Sequence, residues 1–336
     1  SVNYSADELY GGSAGFQPGS TFKTFVLAQW LREGRTLLTS VNAGPRTYTP
    51  SDFKATSCIN FTGGGTWSPK NAEGRGSGTS TVLNATTKSI NTAYATMSTM
   101  VDLCGVAEVA TQVGFRPSIT GTPVAVRMGM TLGSQETSPL SMAAAYATFA
   151  SGGTYCDPIA ILSVSADGQE LPVPTANCHT ALDTATANAV NYALNQVIAP
   201  NGGAPAARLA AHTGAGKTGT TNENRDAWFV GYTRTVSTAF WMGHPDNKQM
   251  NLQNVTIAGK PYSIIYGSTI AAPTWKRYMD RILNGNPDIP FEPIEQSKLG
   301  YIAPKPRPAP TQPSTPVPPS PEQPAPAAPP APEAGN

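Results

Sequence analysis

"GKTGTTNENRDAWFVGYTRTVSTAFWMGH", Gly216 to His244, decides the fold class. Within it, "KTGTT", "AWFVGYT" and "VSTAFWMGH" read as strands, separated by "NENRD" and a short turn. That spacing predicts an antiparallel meander of three strands. Elsewhere the pattern is helical. "STFKTFVLAQWLREG" places Phe22, Phe25, Val26, Gln29 and Trp30 on helical spacing, with Ser20 as its N-cap and Gly34 as its stop. Residues 92–113 form a second helical region ended by Gly114. "SPLSMAAAYATFASGG" forms a third, Asp183 to Ile198 a fourth, and "APTWKRYMDRIL" a fifth. A sheet packed with helices, in the α/β (α+β) class, is the expected architecture for residues 1–300.

The remaining residues, 301–336, change character. Their Pro/Ala-rich run has no hydrophobic periodicity, cannot bury a core, and is expected to be an extended, disordered tether. The net charge of +1 gives no attraction to nucleic acid or a membrane surface. No run of about 20 apolar residues is present to span a bilayer, and no signal peptide is visible. The opening, "SVNYSADELY", reads like the middle of a longer protein. "FTGGGTWSPKNAEGRGSG" reads as an irregular excursion.

Four cysteines, Cys58, Cys104, Cys156 and Cys178, include no Cys-x-x-Cys pair, and there are three histidines. The sequence calls for no metal and no cofactor. Disulfides suit an extracytoplasmic chain, and reduced thiols a cytoplasmic one. Cys156 and Cys178 flank a stretch that reads as a hairpin turning at Asp167-Gly168. Hairpin ends come within the Cα separation of about 5.5–6 Å that a bridge requires. Cys58 with Cys104 is the second candidate pair.

Three short motifs fall in order: Ser20-Thr-Phe-Lys23, Ser89-Ile90-Asn91, and Lys217-Thr218-Gly219-Thr220. Singly they are weak. A second Ser-x-x-Lys stands at Ser51-Lys54, and Ser-x-Asn recurs at Ser1-Asn3 and Ser40-Asn42. Context separates them: "PGSTFK" and "KSINTAY" each open a helix, and the third motif starts a strand. Ser51 follows "TYTP", with no apolar helix after it. Gly11-Gly-Ser13-Ala-Gly15 matches a nucleophile elbow, but "NYSADELY" is too polar for the buried strand that an elbow needs.

With these motifs, and with "SPKN", "TLGSQETSPLSMAAAYATFASGG" and "GSTIAAPTWKRYM", the chain resembles the transpeptidase domain of class A (bifunctional) penicillin-binding proteins, and its cysteines and tail resemble those of actinobacterial, mycobacterial-like enzymes. The resemblance covers nearly all of 1–285. It implies a serine β-lactamase/penicillin-binding-protein-like fold and a DD-transpeptidase of peptidoglycan. Ser20 would form an acyl-enzyme on D-Ala-D-Ala donors. Lys23, at i+3 on the same helix face, would be its base, and must be neutral to serve. Ser89 would relay the proton and Asn91 hold a substrate amide. Lys217, Thr218 and Thr220 would bind the donor carboxylate. Gly219 would leave room for substrate. The N–H groups of Ser20 and Thr220 would form an oxyanion hole.

The partners so implied are stem peptides as donor and amine acceptor, β-lactam antibiotics, and the wall-synthesis machinery, with no nucleic acid. The implied location is the extracytoplasmic membrane face, through an N-terminal anchor. That anchor, a glycosyltransferase domain and the first strands of the sheet are expected in a parent protein rather than in this stretch. Alternatives from the same motifs are a DD-carboxypeptidase, a β-lactam sensor and a class A β-lactamase. The last needs a Glu-x-x-x-Asn downstream of the second motif. Here Glu136 is followed four residues on by Leu140. His179, His212 and His244 are read as structural or exposed, and Trp228, Phe229, Phe240 and Trp241 as core.

Overall fold

A computed structural model of the chain describes residues 2–56, 58, 64–72, 76, 78–245, 250–300 and 327. Ser1–Tyr301 form one unit and Ile302–Asn336 another. The expected disorder of residues 301–336 falls outside the described residues, Ala327 excepted, as does part of the Gly-rich excursion.

In chain order the regular elements are α1 (Lys23–Arg32), β1 (Ser40–Asn42), β2 (Thr79–Thr81), α2 (Val82–Lys88), α3 (Asn91–Met100) and α4 (Leu103–Gln112). Then come α5 (Pro139–Ala150), β3 (Thr154–Tyr155), β4 (Val164–Ala166), β5 (Gln169–Leu171), β6 (His179–Thr180) and α6 (Thr184–Ile198). The last are β7 (Ala215–Thr220), β8 (Ala227–Tyr232), β9 (Ser237–Met242), β10 (Gln253–Ile257), β11 (Lys260–Ile264), α7 (Ala271–Ile282) and α8 (Gln296–Leu299).

The expected meander is present as the antiparallel sheet β7-β8-β9, with Lys217 opposite Val230 and Val230 opposite Ala239. Strand period two sorts its side chains onto two faces. Tyr232 meets Tyr146 of α5 with ring centroids 6.0 Å apart, and Phe229 meets Trp275 of α7 at 5.1 Å. Helices therefore cover both faces, which explains why every residue of β8 is buried. Tyr232 also donates to the Asn191 Oδ1 of α6 (2.7 Å), and Asn191 donates to the Phe149 carbonyl of α5 (2.9 Å). This buried polar bridge has its partners, so it fixes the helices on the sheet without an orphaned group.

α1 is apolar nearly all round, and every residue from Lys23 to Leu31 is buried. Such a helix belongs in a core; it packs against α3, α4 and α6. Its beginning differs from expectation. Pro18 already has helical dihedrals (φ −72°, ψ −13°), and a 3-10 turn over Gly19–Phe22 runs into the helix. An N-cap residue is normally extended, so Ser20 lies within the turn and caps nothing. The region 92–113 is also two helices rather than one. Val101 is extended, and Asp102 caps α4 by accepting the Cys104 N–H at 2.9 Å.

The sequence pattern did not show the four small ribbons β1-β2, β3-β6, β4-β5 and β10-β11 as such, except the hairpin β4-β5. Its turn residues Asp167 and Gly168 have φ of 54° and 77°, as a tight two-residue hairpin turn requires. Both expected disulfides are formed, with Cα separations of 4.1 Å for Cys156–Cys178 and 5.7 Å for Cys58–Cys104. The first closes a loop of 22 residues in sequence. Constraining such a loop in the unfolded chain stabilises the fold by about 3 kcal/mol. Replacing Cys156 and Cys178 together by serine is therefore expected to lower the unfolding free energy by about that amount, read from denaturant titration. Peptide mapping without reductant is expected to find no free thiol in the unaltered chain.

Candidate active site

The three motifs meet where the 3-10 turn of Ser20, the junction of α2 and α3, and strand β7 come together. Gly19 has φ of 57°, and a Cβ on it would lie 2.8 Å from the Thr220 carbonyl oxygen. From the other side, a Cβ on Gly133 would lie 2.3 Å from the Gly19 oxygen. The turn is thus pressed between β7 and the Met128–Leu132 turn, and only glycine fits there. The backbone of Thr220 consequently runs beside the Ser20 turn. Ser20 itself is partly exposed.

Ser89 closes α2 in the left-handed region, with φ 57° and ψ 42°. The Ser89 N–H bonds the Thr86 carbonyl at 3.2 Å and the Ile90 N–H bonds the Ala85 carbonyl at 2.9 Å, so α2 ends with satisfied carbonyls. A non-glycine residue is strained in this conformation. Here that backbone ends one helix and lets α3 begin two residues later, at Asn91. Ser89 is therefore at a helix end rather than a helix start, and Asn91 occupies the start.

Lys23 and Lys217 are both 0% exposed. Lys23 Nζ lies within hydrogen-bond distance of the Ser89 carbonyl (2.9 Å), Ser89 Oγ (3.3 Å) and Asn91 Oδ1 (2.5 Å). Lys217 Nζ donates to the same Ser89 Oγ at 2.7 Å and to the Thr218 carbonyl at 3.0 Å. Among the described residues no carboxylate lies within ion-pair distance of either amine, and Ser20 Oγ makes no hydrogen bond to Lys23. Burial pushes Lys23 well below the usual lysine range, and the neighbouring Lys217 pushes it the same way. Burial brings Lys217 down to about 7. Asn91 Nδ2 donates to the Lys70 carbonyl at 2.7 Å, so its amide oxygen faces Lys23. A neutral amine has two N–H groups and one lone pair. The Ser89 carbonyl and Asn91 Oδ1 can only accept, so they engage both N–H groups and leave the lone pair for a hydroxyl.

On β7, Thr218 and Thr220 share the more open face, and Lys217 and Gly219 are buried. A Cβ on Gly219 would lie 2.4 Å from the Pro18 carbonyl oxygen and 2.9 Å from both Thr21 Cγ2 and Trp228 Cβ. The glycine lets the strand close on the Ser20 turn. The sequence alone suggests room for substrate here; the space a Cβ would take is instead filled by the Ser20 turn and Trp228.

The competing candidates lie elsewhere. Ser51 is exposed on the short turn Pro50–Asp52, bonded to Thr49 Oγ1 at 2.9 Å. Ser13 follows no strand, and its Oγ accepts the Gly15 N–H at 3.1 Å. His212 bonds the Asn286 carbonyl at 3.0 Å, and His179 the Gln112 carbonyl at 3.2 Å. His244 is half-buried. Trp228 and Phe229 are core, whereas Phe240 and Trp241 are half-buried. A cavity of about 440 Å³, lined by Thr79, Ser80, Asn84, Lys88 and Ile90 among others, flanks the second motif; Ser20, Lys23 and Lys217 do not line it.

Motif spacing did not reveal three contributors. Tyr94 sets its ring 5.3 Å from Lys23 Nζ, and Lys70 and Asn71 of "SPKN" bond the start of α3. The position of "SPKN" before the second motif was the signal in sequence for Lys70 and Asn71, and Tyr94 ends the stretch "KSINTAY".

Residues 8–263 match the family described as Penicillin binding protein transpeptidase domain. Penicillin-binding protein 1A of Neisseria lactamica is 34% identical over 282 residues, covering 81% of this chain and 32% of that protein. Penicillin-binding protein 1A of Mycolicibacterium smegmatis is 31% identical over 334 residues, covering 91% of this chain and 39% of that protein. Among solved structures, the PonA1 protein of Mycobacterium tuberculosis in complex with penicillin V matches with a TM-score of 0.68 at 30% identity, covering 88% of this chain and 76% of that one. The chain belongs to the family of penicillin-binding protein transpeptidase domains, of the class A, mycobacterial-like kind. It spans about a third of the length of the curated relatives it matches.

The buried lysines make stability depend on pH. Lys217 titrates near 7 when folded and near 10.4 when unfolded. Between these values the unfolded chain binds more protons, so stability rises with pH. The rise over pH 7 to 10 is expected to be on the order of 4 kcal/mol for Lys217 alone. Above pH 10 it should reverse, because Tyr94, Tyr146 and Tyr232 are buried and held neutral. Chemical denaturation at a series of pH values measures this, and Lys217→Met is expected to flatten the rising limb.

Proposed function

We propose that the chain cross-links peptidoglycan stem peptides through a Ser20 acyl-enzyme. The observation that carries this reading is the buried Lys23–Ser89–Lys217 cluster beside the Ser20 turn, with no described carboxylate pairing either amine. Burial and the neighbouring Lys217 favour the neutral form of Lys23, and its two N–H groups are committed to Ser89 and Asn91. Its lone pair takes the Ser20 hydroxyl proton as Oγ bonds the penultimate D-Ala carbonyl carbon. The N–H groups of Ser20 and Thr220 receive the oxyanion. As the tetrahedral species collapses, the bond to the terminal D-Ala nitrogen breaks. The proton passes from Lys23 through Ser89 to that nitrogen, and D-alanine leaves. An amine of a second stem peptide then attacks the ester, loses its proton to the same relay, and releases Ser20. Lys217 and the hydroxyls of Thr218 and Thr220 hold the donor carboxylate.

The substrate places this chemistry outside the cytoplasmic membrane, where two disulfides also persist. β-Lactams enter the same path. Their leaving amine stays tethered, so release falls to water, and this chain offers no Glu-x-x-x-Asn base for it.

Labelling with a fluorescent penicillin is expected to be lost in Ser20→Ala and kept in Ser51→Ala, with the tag mapped to the Ser20 peptide. Label surviving Ser20→Ala would refute the assignment. The adduct is also expected to persist for minutes or longer, since a lost general base typically forgoes a factor of about 100 to 10,000 in rate. Mass spectrometry over time reads this directly; recovery of free protein within seconds, with hydrolysed penicillin accumulating, would indicate a β-lactamase instead.

A further inference from the structure

What holds Asn91 against Lys23 lies outside the three motifs. Asn91 is the first residue of α3, and Ile90 before it has no side chain able to cap. The first N–H groups of a helix need outside acceptors. Asn71 provides one from 21 residues away: its Oδ1 accepts the Thr92 N–H at 3.0 Å. Its Nδ2 donates to Thr92 Oγ1 (2.9 Å) and to the Gly76 carbonyl (3.2 Å), so both N–H groups and the oxygen are engaged. Thr92 Oγ1 donates in turn to the Ala43 carbonyl at 2.5 Å. One residue earlier, the Lys70 carbonyl accepts from the side-chain Nδ2 of Asn91 at 2.7 Å.

The segment bearing these groups is itself anchored. Trp67 and Tyr48 exchange two backbone hydrogen bonds, 2.8 and 2.9 Å long, and Tyr48 Oη lies 3.0 Å from Thr96 Oγ1 on α3. Pro69, between the two anchors, is buried. The clamp therefore grips α3 at its first turn and again one turn later.

We infer that Asn71 is a positioning residue for acylation: by capping α3 from a distance, with the Lys70 carbonyl beside it, it aims Asn91 Oδ1 at Lys23 and so sets the direction of the amine lone pair. This rests on the reading of Ser20 as the acylated residue. Asparagine suits the place because it accepts once and donates twice. Alanine does neither, and aspartate keeps only the acceptance. Without the clamp, the first turn of α3 loses its cap and the Asn91 amide is no longer held in register with the amine. Misplacement of a catalytic group by about 1 Å costs on the order of 100-fold in rate.

The test is the second-order rate constant for acylation by a fluorescent penicillin, measured on the whole chain with the Ser20 adduct confirmed by mass. Asn71→Ala is expected to slow acylation about 10- to 100-fold while still reaching one label per chain. Asn71→Asp, which keeps the bond from the Thr92 N–H, is expected to restore most of that loss. In an Asn91→Ala background, adding Asn71→Ala is expected to change the rate by less than about twofold, since residues acting through one another are not additive. A residue needed only for folding would slow both backgrounds alike. Should Asn71→Ala melt below the assay temperature, Asn71→Gln, whose amide sits one methylene out of register with the Thr92 N–H, takes its place in the Asn91→Ala cycle, with a loss in the unaltered background and less than about twofold in the second. An unchanged rate in Asn71→Ala, equal losses in Ala and Asp, or equal losses in both backgrounds overturns the inference. Absence of a Ser20 adduct in the unaltered chain overturns it through the proposed function instead.

Discussion

Two amines, Lys23 and Lys217, are buried with one hydroxyl, Ser89 Oγ, between them. Water is excluded and no described carboxylate pairs with either amine, so both cannot be charged at once without a large desolvation cost. The fold meets this constraint with neutral hydrogen-bond partners: a backbone carbonyl of Ser89, the amide oxygen of Asn91 and the carbonyl of Thr218. Such partners orient an amine without restoring its charge as a carboxylate would. Burial, with no described carboxylate alongside, holds both amines below the usual lysine range and so toward the neutral form.

The architecture follows from holding that cluster. α1 has to be central because its first residue is the buried Lys23. Its apolar faces pack on every side, each fully buried large side chain contributing about 1.5–3 kcal/mol. β7 has to run along the Ser20 turn, which requires glycine at Gly19, Gly133 and Gly219, where a Cβ would strike backbone. The strained backbone at Ser89 is tolerated because it lets two helices meet at the point where their ends supply a hydroxyl and an amide.

What could be read from the sequence was local or periodic. Three strands with alternating residues, five helical regions and an Asp-Gly turn are encoded within short windows, and the structure has them where the pattern put them. Errors came at boundaries. The Ser20 cap was lost because Pro18 begins the helical turn early, and the region 92–113 split because Asp102 is an interior cap that apolar periodicity conceals. The ribbons β1-β2, β3-β6 and β10-β11 were missed because strands of two to five residues give too few alternations to count.

The sequence by itself determined the class of the sheet, the identity and order of the three motifs, and the residue types that can do acyl chemistry. Each is a property of neighbours in the chain. Tertiary structure alone decided that Lys23 and Lys217 share Ser89, that neither meets a described carboxylate, and that Gly219 serves packing. It also decided that Lys70 and Asn71 hold α3. Those facts join residues from 21 positions apart, as Lys70 and Asn91 are, to 201 positions apart, as Pro18 and Gly219 are. No window of sequence contains both partners, and a lysine's charge depends on burial that only the assembled fold creates.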